Sequence, residues 1–111
     1  DFLPPDQAFV LAEPATDGDR LVFAWTIPEG YYLYRDKMKA TAVSPGVTLG
    51  ALELPAGEIK QDSEFGEVAV YKHAARVRVP VTAPAGTTTA EVEIRYQGCA
   101  EDGICYPPQR K

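Results

Sequence analysis

The sequence has no long hydrophobic run. None of its 111 residues belongs to an apolar stretch near the roughly eighteen residues that a membrane-spanning helix requires. Its composition, 45% hydrophobic and 24% charged, is ordinary for a globular domain. The length suits one domain, so we expect a single domain over residues 1–111 that is not itself inserted in a membrane.

Positive charge is also scarce. Eleven Lys and Arg residues face sixteen Asp and Glu residues, for a formal net charge of −5. This balance argues against binding to nucleic acid or to anionic membrane surfaces. An acidic surface fits a protein partner with a basic or neutral docking face, although most acidic surfaces only keep a protein soluble.

Cysteine, histidine and methionine are few. Two cysteines are too few for a disulfide-built scaffold. The single histidine, His73, and the single methionine offer neither a zinc pattern with the cysteines nor a cluster of soft ligands. A metal site is therefore the least favoured function, and we expect His73 to be a surface residue of a strand.

What the sequence does contain is alternation with a period of two. Residues 20–28, 74–81 and 88–96 each place apolar side chains on one face, which indicates half-buried antiparallel strands. Further strands are predicted at residues 8–12, 47–54 and 67–73. The segment 34–42 is predicted to contain at most a single helical turn. The Pro- and Gly-containing breaks between them predict turns. The pattern predicts an all-β fold, an immunoglobulin-like antiparallel β-sandwich, with a small barrel as the alternative.

Both cysteines lie in the segment YQGCAEDGICYPPQR, residues 96–110. Five residues separate Cys99 from Cys105, and they include the turn-forming pair Asp102-Gly103. We expect the two cysteines to bracket a hairpin-like loop at one end of the sandwich. Such a loop can bring their Cα atoms within the range of a disulfide.

The pair could be a static bridge, a redox-active disulfide or part of a metal site. A bridge that closes about seven residues stabilises a fold by roughly 2.4 kcal/mol, against roughly 4.7 kcal/mol for a loop of about a hundred. A structural bridge in a sandwich would be more effective if it joined residues far apart in sequence. The spacing alone leaves the static and the redox-active interpretations open.

The loop composition indicates what a redox-active pair would do. The loop contains Glu101 and Asp102 but no Lys, Arg or His. Nearby carboxylates should leave the thiol pKa values normal or raised, which disfavours the reduced form and lowers the reduction potential. We therefore expect a pair that passes electrons onward and needs a partner with a better-activated cysteine.

Three segments resemble a known family. These are PDQAF at residues 5–9, EGYYLYRDKM at 29–38 and YQGCAEDGICYPP at 96–108. In order and spacing the chain is similar to the N-terminal periplasmic domain of the bacterial thiol:disulfide interchange protein DsbD. The resemblance implies an immunoglobulin-like redox domain cut from a larger inner-membrane protein, on its periplasmic side.

The resemblance also implies a direction of electron flow. The domain would receive two electrons from the thioredoxin-like C-terminal domain of the same protein, which is supplied through a membrane domain. It would then reduce the disulfide isomerases DsbC and DsbG and a cytochrome c maturation thioredoxin of the CcmG type. No cofactor is implied, because the dithiol carries the electrons.

Roles for individual residues follow from the same resemblance. Cys105 would form the mixed disulfide with partners, and Cys99 would be the resolving cysteine. The segment GYYLYR offers Tyr32 and Tyr34 as aromatic walls of the active site, while packing in the core is the alternative for at least one of its tyrosines.

A second family element is a loop that caps the disulfide. In this chain it corresponds to Asp62, Glu64, Phe65 and Gly66, with Phe65 as the covering ring. The family pattern has aromatic residues at both positions before the glycine, whereas Glu64 and Phe65 stand there here. The alignment of the loop with the family pattern could be shifted by one residue, which leaves the roles of Asp62 and Glu64 open. Phe65 could instead be a core residue of the next strand.

Two rival functions come from other classes. One is a non-catalytic immunoglobulin-like binding module whose disulfide is structural. Its bridge should resist a thioredoxin-type reductant, with which an active pair would equilibrate. The other is a redox-linked metal carrier, which a metal titration would reveal.

Overall fold

The structure is almost entirely β. It is a computed structural model that describes residues 2–62 and 65–111. Within these residues the strands are Val10–Leu11 (β1), Ala15–Asp17 (β2), Arg20–Thr26 (β3), Tyr31–Tyr34 (β4), Lys39–Ala42 (β5), Thr48–Leu49 (β6), Glu58–Asp62 (β7), Gly66–Tyr71 (β8), Ala74–Thr82 (β9), Val92–Tyr96 (β10), Gly98–Ala100 (β11) and Gln109–Arg110 (β12). One helical turn, Pro5–Ala8 (α1), precedes them, and a 3₁₀ turn, Arg35–Lys37, follows β4.

The strands form three antiparallel sheets. The first has the order β1-β3-β9-β6, with β2 added along β3. The second is β11-β4-β8-β7 and the third is β12-β10-β5. The β3–β9 pair is the longest, running from Arg20 opposite Pro80 to Thr26 opposite Ala74. No helix among the described residues is long and apolar enough to cross a membrane.

The core lies between the first sheet and the other two. Its fully or almost fully buried members are Phe23 and Trp25 from β3, Val77 and Val79 from β9, Leu33 and Tyr71 from the second sheet, and Ile94 and Tyr96 from β10. The period-two prediction is confirmed for β9 and β10, because their buried residues lie on the predicted inner faces. In β3 Phe23 and Trp25 are buried as predicted, but Val22 on the opposite face is buried too and Leu21 is only half-buried. Strand β10 begins only at Val92, so Ala90 is exposed.

Several predicted strands are shorter than the pattern suggested. Of residues 8–12 only Val10–Leu11 is extended, because the proline at the start of α1 suits a helical first turn that ends at Ala8. Of residues 47–54 only Thr48–Leu49 is a strand. The predicted single turn after β4 is present as the 3₁₀ turn.

His73 is exposed as expected, but it does not lie in a strand. It occupies the turn between β8 and β9 with a φ of 70°, and its carbonyl oxygen accepts a hydrogen bond from the backbone N–H of Ile27. A left-handed backbone angle suits a tight connection between two antiparallel strands, which explains why the strand stops there.

A second, smaller hydrophobic cluster lies on the other face of β4. Because side chains alternate along a strand, Leu33 points into the main core while Tyr32 and Tyr34 point away from it. On that opposite face the two tyrosines pack with Val70 and Cys99. The second sheet therefore has buried side chains on both faces, and the outer cluster contains the disulfide.

Candidate redox site

The two cysteines form a disulfide across a hairpin-like loop. Cys99 lies in β11, where it pairs with Tyr32 of β4, and it also forms a β-bridge with Cys105. The backbone N–H of Ala100 donates to the carbonyl oxygen of Ile104 at 2.8 Å, which closes the loop between them. The Cα atoms of the cysteines are 4.0 Å apart. The predicted loop geometry is confirmed.

A glycine beside the disulfide permits the close packing of β11. A Cβ atom at Gly98 would collide with the carbonyl oxygen of Tyr32 and would stand 2.6 Å from Cζ of Phe9. Only glycine lets the cysteine strand approach β4 this closely. Sequence analysis did not single out Gly98, although its position directly before the first cysteine is a visible signal.

The two sulfurs differ in accessibility. Cys99 is fully buried, with an exposed fraction of 0%, whereas Cys105 is partly exposed. A partner molecule can therefore approach Cys105, while Cys99 is shielded by the protein around it.

Two tyrosines line the disulfide. The hydroxyl of Tyr34 lies 3.1 Å from Sγ of Cys99 and 3.8 Å from Sγ of Cys105. The Tyr32 ring packs edge to face on the Tyr34 ring, with the centroids 5.5 Å apart. Tyr31 lies on the opposite face of β4, where its ring packs near Phe9. The structure thus places Tyr32 and Tyr34 at the disulfide and Tyr31 against the main core.

A buried carboxylate connects these tyrosines to the cap loop. Asp62 is only 8% exposed, and its Oδ1 accepts hydrogen bonds from the hydroxyls of Tyr32 at 2.7 Å and Tyr34 at 2.9 Å. Its Oδ2 accepts the backbone N–H of Phe65 at 3.0 Å. Asp62 ends β7, a strand that the sequence analysis did not predict.

The phenol of Tyr32 is strongly held in its neutral form. Burial is the main cause that raises its pKa, and the hydrogen bond to Asp62 is the next. Tyr32 therefore stays a hydrogen-bond donor to the carboxylate throughout the physiological pH range.

Of the cap-loop candidates, Asp62, Phe65 and Gly66 lie where β7 ends and β8 begins. The Phe65 ring packs edge to face on Tyr34 at 5.2 Å, with Nζ of Lys37 4.6 Å from its centroid. Phe65 is 46% exposed, so the alternative that it is a core residue of the next strand is wrong. Gly66 has a φ of 74°, which favours glycine. Glu64 lies outside the described residues, and the covering of Cys105 by Phe65 stays a prediction.

The loop between the cysteines contains no cation, but the tertiary structure places two lysines from other segments against it. Glu101 is paired with Nζ of Lys60 at 3.1 Å and with Nζ of Lys72 at 3.2 Å. The hydrogen bond from Lys60 is the first cause that lowers the Glu101 pKa, so this acid is ionised at neutral pH. Sequence analysis missed both lysines because it considered only residues between the cysteines.

The arrangement supplies a disulfide with one reachable sulfur and a polar path from the other. The path runs from buried Cys99 through the Tyr34 hydroxyl to Asp62. Within the described residues, no group of three or more His, Cys, Asp or Glu side chains is placed to hold a metal ion.

Comparison with known proteins identifies the family. The family model for "Thiol:disulfide interchange protein DsbD, N-terminal" matches residues 1–111. The chain belongs to the DsbD N-terminal domain family. The DsbD of Yersinia enterocolitica is 43% identical over 110 residues, which are 99% of this chain and 18% of that protein. The DsbD of Ralstonia nicotianae is 39% identical over 111 residues, with the same two coverages. The chain thus spans about a fifth of the length of these DsbD relatives.

Solved structures agree with this family. The crystal structure of the Neisseria meningitidis DsbD N-terminal domain in the reduced form has a TM-score of 0.86 and 38% identity. It matches 97% of this chain and 84% of the Neisseria chain. A structure of the complex between the DsbD and PilB N-terminal domains from the same organism has a TM-score of 0.81 and 38% identity, over 100% and 84%. The immunoglobulin-like β-sandwich expected from the sequence is confirmed.

Proposed function

We propose that this domain is a thiol:disulfide oxidoreductase that works through Cys99 and Cys105. The observation that carries the proposal is the asymmetry of the pair: Cys105 is partly exposed, whereas Cys99 is fully buried against the Tyr34 hydroxyl. Exchange through a mixed disulfide needs one sulfur that a partner can reach and a second that resolves the intermediate. Membership of the DsbD family supports the same chemistry.

In this proposal the domain takes electrons from the thioredoxin-like C-terminal domain of the same protein. It passes them to periplasmic thioredoxin-fold proteins, namely DsbC, DsbG and CcmG-type partners, and it is the periplasmic domain of an inner-membrane protein. The Neisseria DsbD N-terminal domain forms a complex with a PilB N-terminal domain, which supports docking of another protein domain on this fold.

The first step forms the mixed disulfide. In the reduced domain the Cys105 thiolate attacks one sulfur of the partner disulfide. A bond forms between that sulfur and Sγ of Cys105, the partner S–S bond breaks, and the second partner sulfur leaves as a thiolate that takes up a proton. The geometry supports Cys105 as the attacking sulfur because it is the reachable one.

The second step resolves it. The Cys99 thiol loses its proton and attacks Sγ of Cys105, which expels the first partner sulfur as a thiolate. The domain ends as the disulfide, and the partner gains two electrons and two protons. The same steps in reverse, with the electron donor in place of the partner, restore the dithiol.

The Tyr34–Asp62 pair would receive the proton of Cys99. The Tyr34 hydroxyl lies between Sγ of Cys99 and Oδ1 of Asp62, at 3.1 Å and 2.9 Å. In the reduced form the Cys99 thiol can donate to the Tyr34 oxygen while the tyrosine donates to the carboxylate. Tyr32 donates to the same oxygen of Asp62 and holds it in place.

A trapping experiment tests the assignment of the two sulfurs. We expect a Cys99→Ala variant to accumulate a mixed disulfide with a thioredoxin-fold partner through Cys105, because nothing remains to resolve it. The matched Cys105→Ala variant should trap little, because Cys99 is buried. Mass spectrometry of the non-reduced complex identifies the sulfur. Equal trapping by both variants would contradict the assignment.

A structural-module function predicts a different outcome. If the bridge only stabilised a binding domain, mixing with a reduced thioredoxin-like donor domain would leave it oxidised. We expect instead stoichiometric transfer of two electrons to this domain. The number of free thiols in each protein, counted after acid quenching, measures the transfer.

A further inference from the structure

A small cavity adjoins the reachable sulfur. It has a volume of about 190 Å³, and Cys105 forms part of its wall. Its charged lining residues are Lys60 and Asp62 from β7 and Glu101 from the loop between the cysteines. Lys60 is thus the lysine that lines this cavity beside Cys105.

Lys60 is held at this position by two contacts. Its Nζ lies 3.1 Å from a carboxylate oxygen of Glu101 and 5.1 Å from the centroid of the Tyr32 ring. The side chain is 25% exposed, so its charge is only partly screened by water. Strand geometry explains the placement. Lys60 and Asp62 are two residues apart in β7, so their side chains lie on the same face of the strand, the face that carries the site.

The charged and titratable groups around Cys105 come from four elements. β7 supplies Lys60 and Asp62, β4 supplies Tyr32 and Tyr34, the cysteine loop supplies Glu101, and the β8–β9 turn supplies Lys72. Two carboxylates near a thiol disfavour its thiolate form, and a nearby cation favours it. Lys72 pairs with Glu101 but does not line the cavity of Cys105.

We propose that Lys60 is a positioning residue that offsets Asp62 and Glu101 and so favours the thiolate form of Cys105 in the reduced domain. The inference rests on the proposed function only in that Cys105 is the sulfur that attacks partners. Lys60 acts through the charge it places beside the cavity, and it holds that charge there by contacts with Glu101 and the Tyr32 ring.

The test measures the reactivity of Cys105 against pH. The reduced domain is alkylated with iodoacetamide at a series of pH values, and fragmentation of the peptide that contains both cysteines reports each site separately. In Lys60→Met we expect the midpoint of the Cys105 profile to rise by about half a pH unit, with alkylation at pH 7 slowed about threefold. Lys60→Arg should keep the wild-type profile because it keeps the charge.

Two further variants separate Lys60 from its surroundings. Lys72→Met removes an equivalent ion pair with Glu101 from outside the cavity, so we expect a smaller rise of the midpoint than in Lys60→Met. Glu101→Gln removes a carboxylate, and the midpoint should fall, a change of opposite sign that is informative even if Lys60→Met folds poorly.

An unchanged midpoint in Lys60→Met, or an equal shift in Lys72→Met, would overturn the proposal. A midpoint that does not fall in Glu101→Gln would also overturn it. Because iodoacetamide needs no partner protein, the measurement stands apart from the proposed function. If the domain exchanges with no thioredoxin-fold protein yet shows these shifts, the proposed function is refuted while the proposed effect of Lys60 on the Cys105 thiolate is supported.

Discussion

Replacing Asp62 with Asn should loosen the hydrogen-bond network that joins the cap loop to the disulfide. Oδ1 accepts from the Tyr32 and Tyr34 hydroxyls, and Oδ2 accepts from the Phe65 N–H. An asparagine oxygen can still accept from the tyrosines, but without the charge that strengthens those bonds. Its NH₂ group would then face the Phe65 N–H, which places two donors against each other.

The size of the effect follows from these contacts. Weakening two charge-assisted bonds costs roughly 0.5–1 kcal/mol each, and an N–H group without its acceptor costs roughly 1 kcal/mol more. Relief from burying a charge offsets part of this sum, because Asp62 is 8% exposed. We expect the oxidised Asp62→Asn domain to unfold with about 1–2 kcal/mol less free energy, which lowers the urea midpoint by about 1 M.

Urea unfolding of the oxidised protein at pH 7 measures the change. Tyr32→Phe is the matched single variant, and the double variant with Asp62→Asn closes a cycle. Because the two groups share one hydrogen bond, their effects should deviate from additivity by at least about 0.5 kcal/mol. Amide exchange at Phe65 should also accelerate in Asp62→Asn, because its acceptor is lost.

Two results would refute this account of Asp62. One is a loss below about 0.5 kcal/mol together with unchanged exchange at Phe65. The other is additive behaviour of the Tyr32 and Asp62 variants. Either would mean that the carboxylate does not hold the tyrosines and the cap loop as the hydrogen bonds indicate.

Three further predictions concern the cap, the core and the bridge. If the Phe65 ring, which packs on Tyr34, covers the disulfide, Phe65→Ala should speed oxidation of the reduced domain by small oxidants, with little loss of stability because the ring is 46% exposed; a wild-type oxidation rate would contradict the cap. Burial raises the pKa of Tyr71 to about 12, and its hydroxyl donates to the carbonyl oxygen of Pro55. Since the pKa of tyrosine in the unfolded chain is about 10, the stabilisation from this shift is complete below about pH 10 and disappears towards pH 12. Between about pH 10 and pH 12 the unfolding free energy of Tyr71→Phe should therefore fall less steeply than that of the wild type. The Cys99→Ala/Cys105→Ala double variant should still fold, with a loss of about 2 kcal/mol or less relative to the oxidised protein in thermal or urea unfolding, and failure to fold would favour a structural bridge.

The fold was predictable because its main signals are local. Alternation within β3, β9 and β10 records which side chains face the core, and it needs no knowledge of strand partners. The short strands β1, β6 and β12 have two residues each, too few for a period to show. Strand β7 was missed because its Ile59 is 66% exposed at the edge of a sheet, so its pattern is not one of apolar residues facing a core.

The site was predictable only in part. The cysteine spacing, the turn between the cysteines and the resemblance of three segments to a known family were visible in the sequence. The resemblance also singled out Asp62, which the structure places against Tyr32 and Tyr34. Lys60 gave no signal within its own segment, because its importance depends on Glu101, which lies 41 positions further along the chain.

The sequence by itself determined the all-β class and the disulfide loop, because each depends on residues close together along the chain. It also indicated the family, because the three segments that carry the resemblance are recognised by their letters, order and spacing without knowledge of their contacts. Only the tertiary structure decided which sulfur is buried and which carboxylate and cation stand beside the pair. These features depend on the pairing of β11 with β4 and on the hairpin of β7 and β8 at the edge of the same sheet. Strand register sets which face each side chain occupies, and a shift of one residue would move Lys60 and Asp62 to the other face of the sheet.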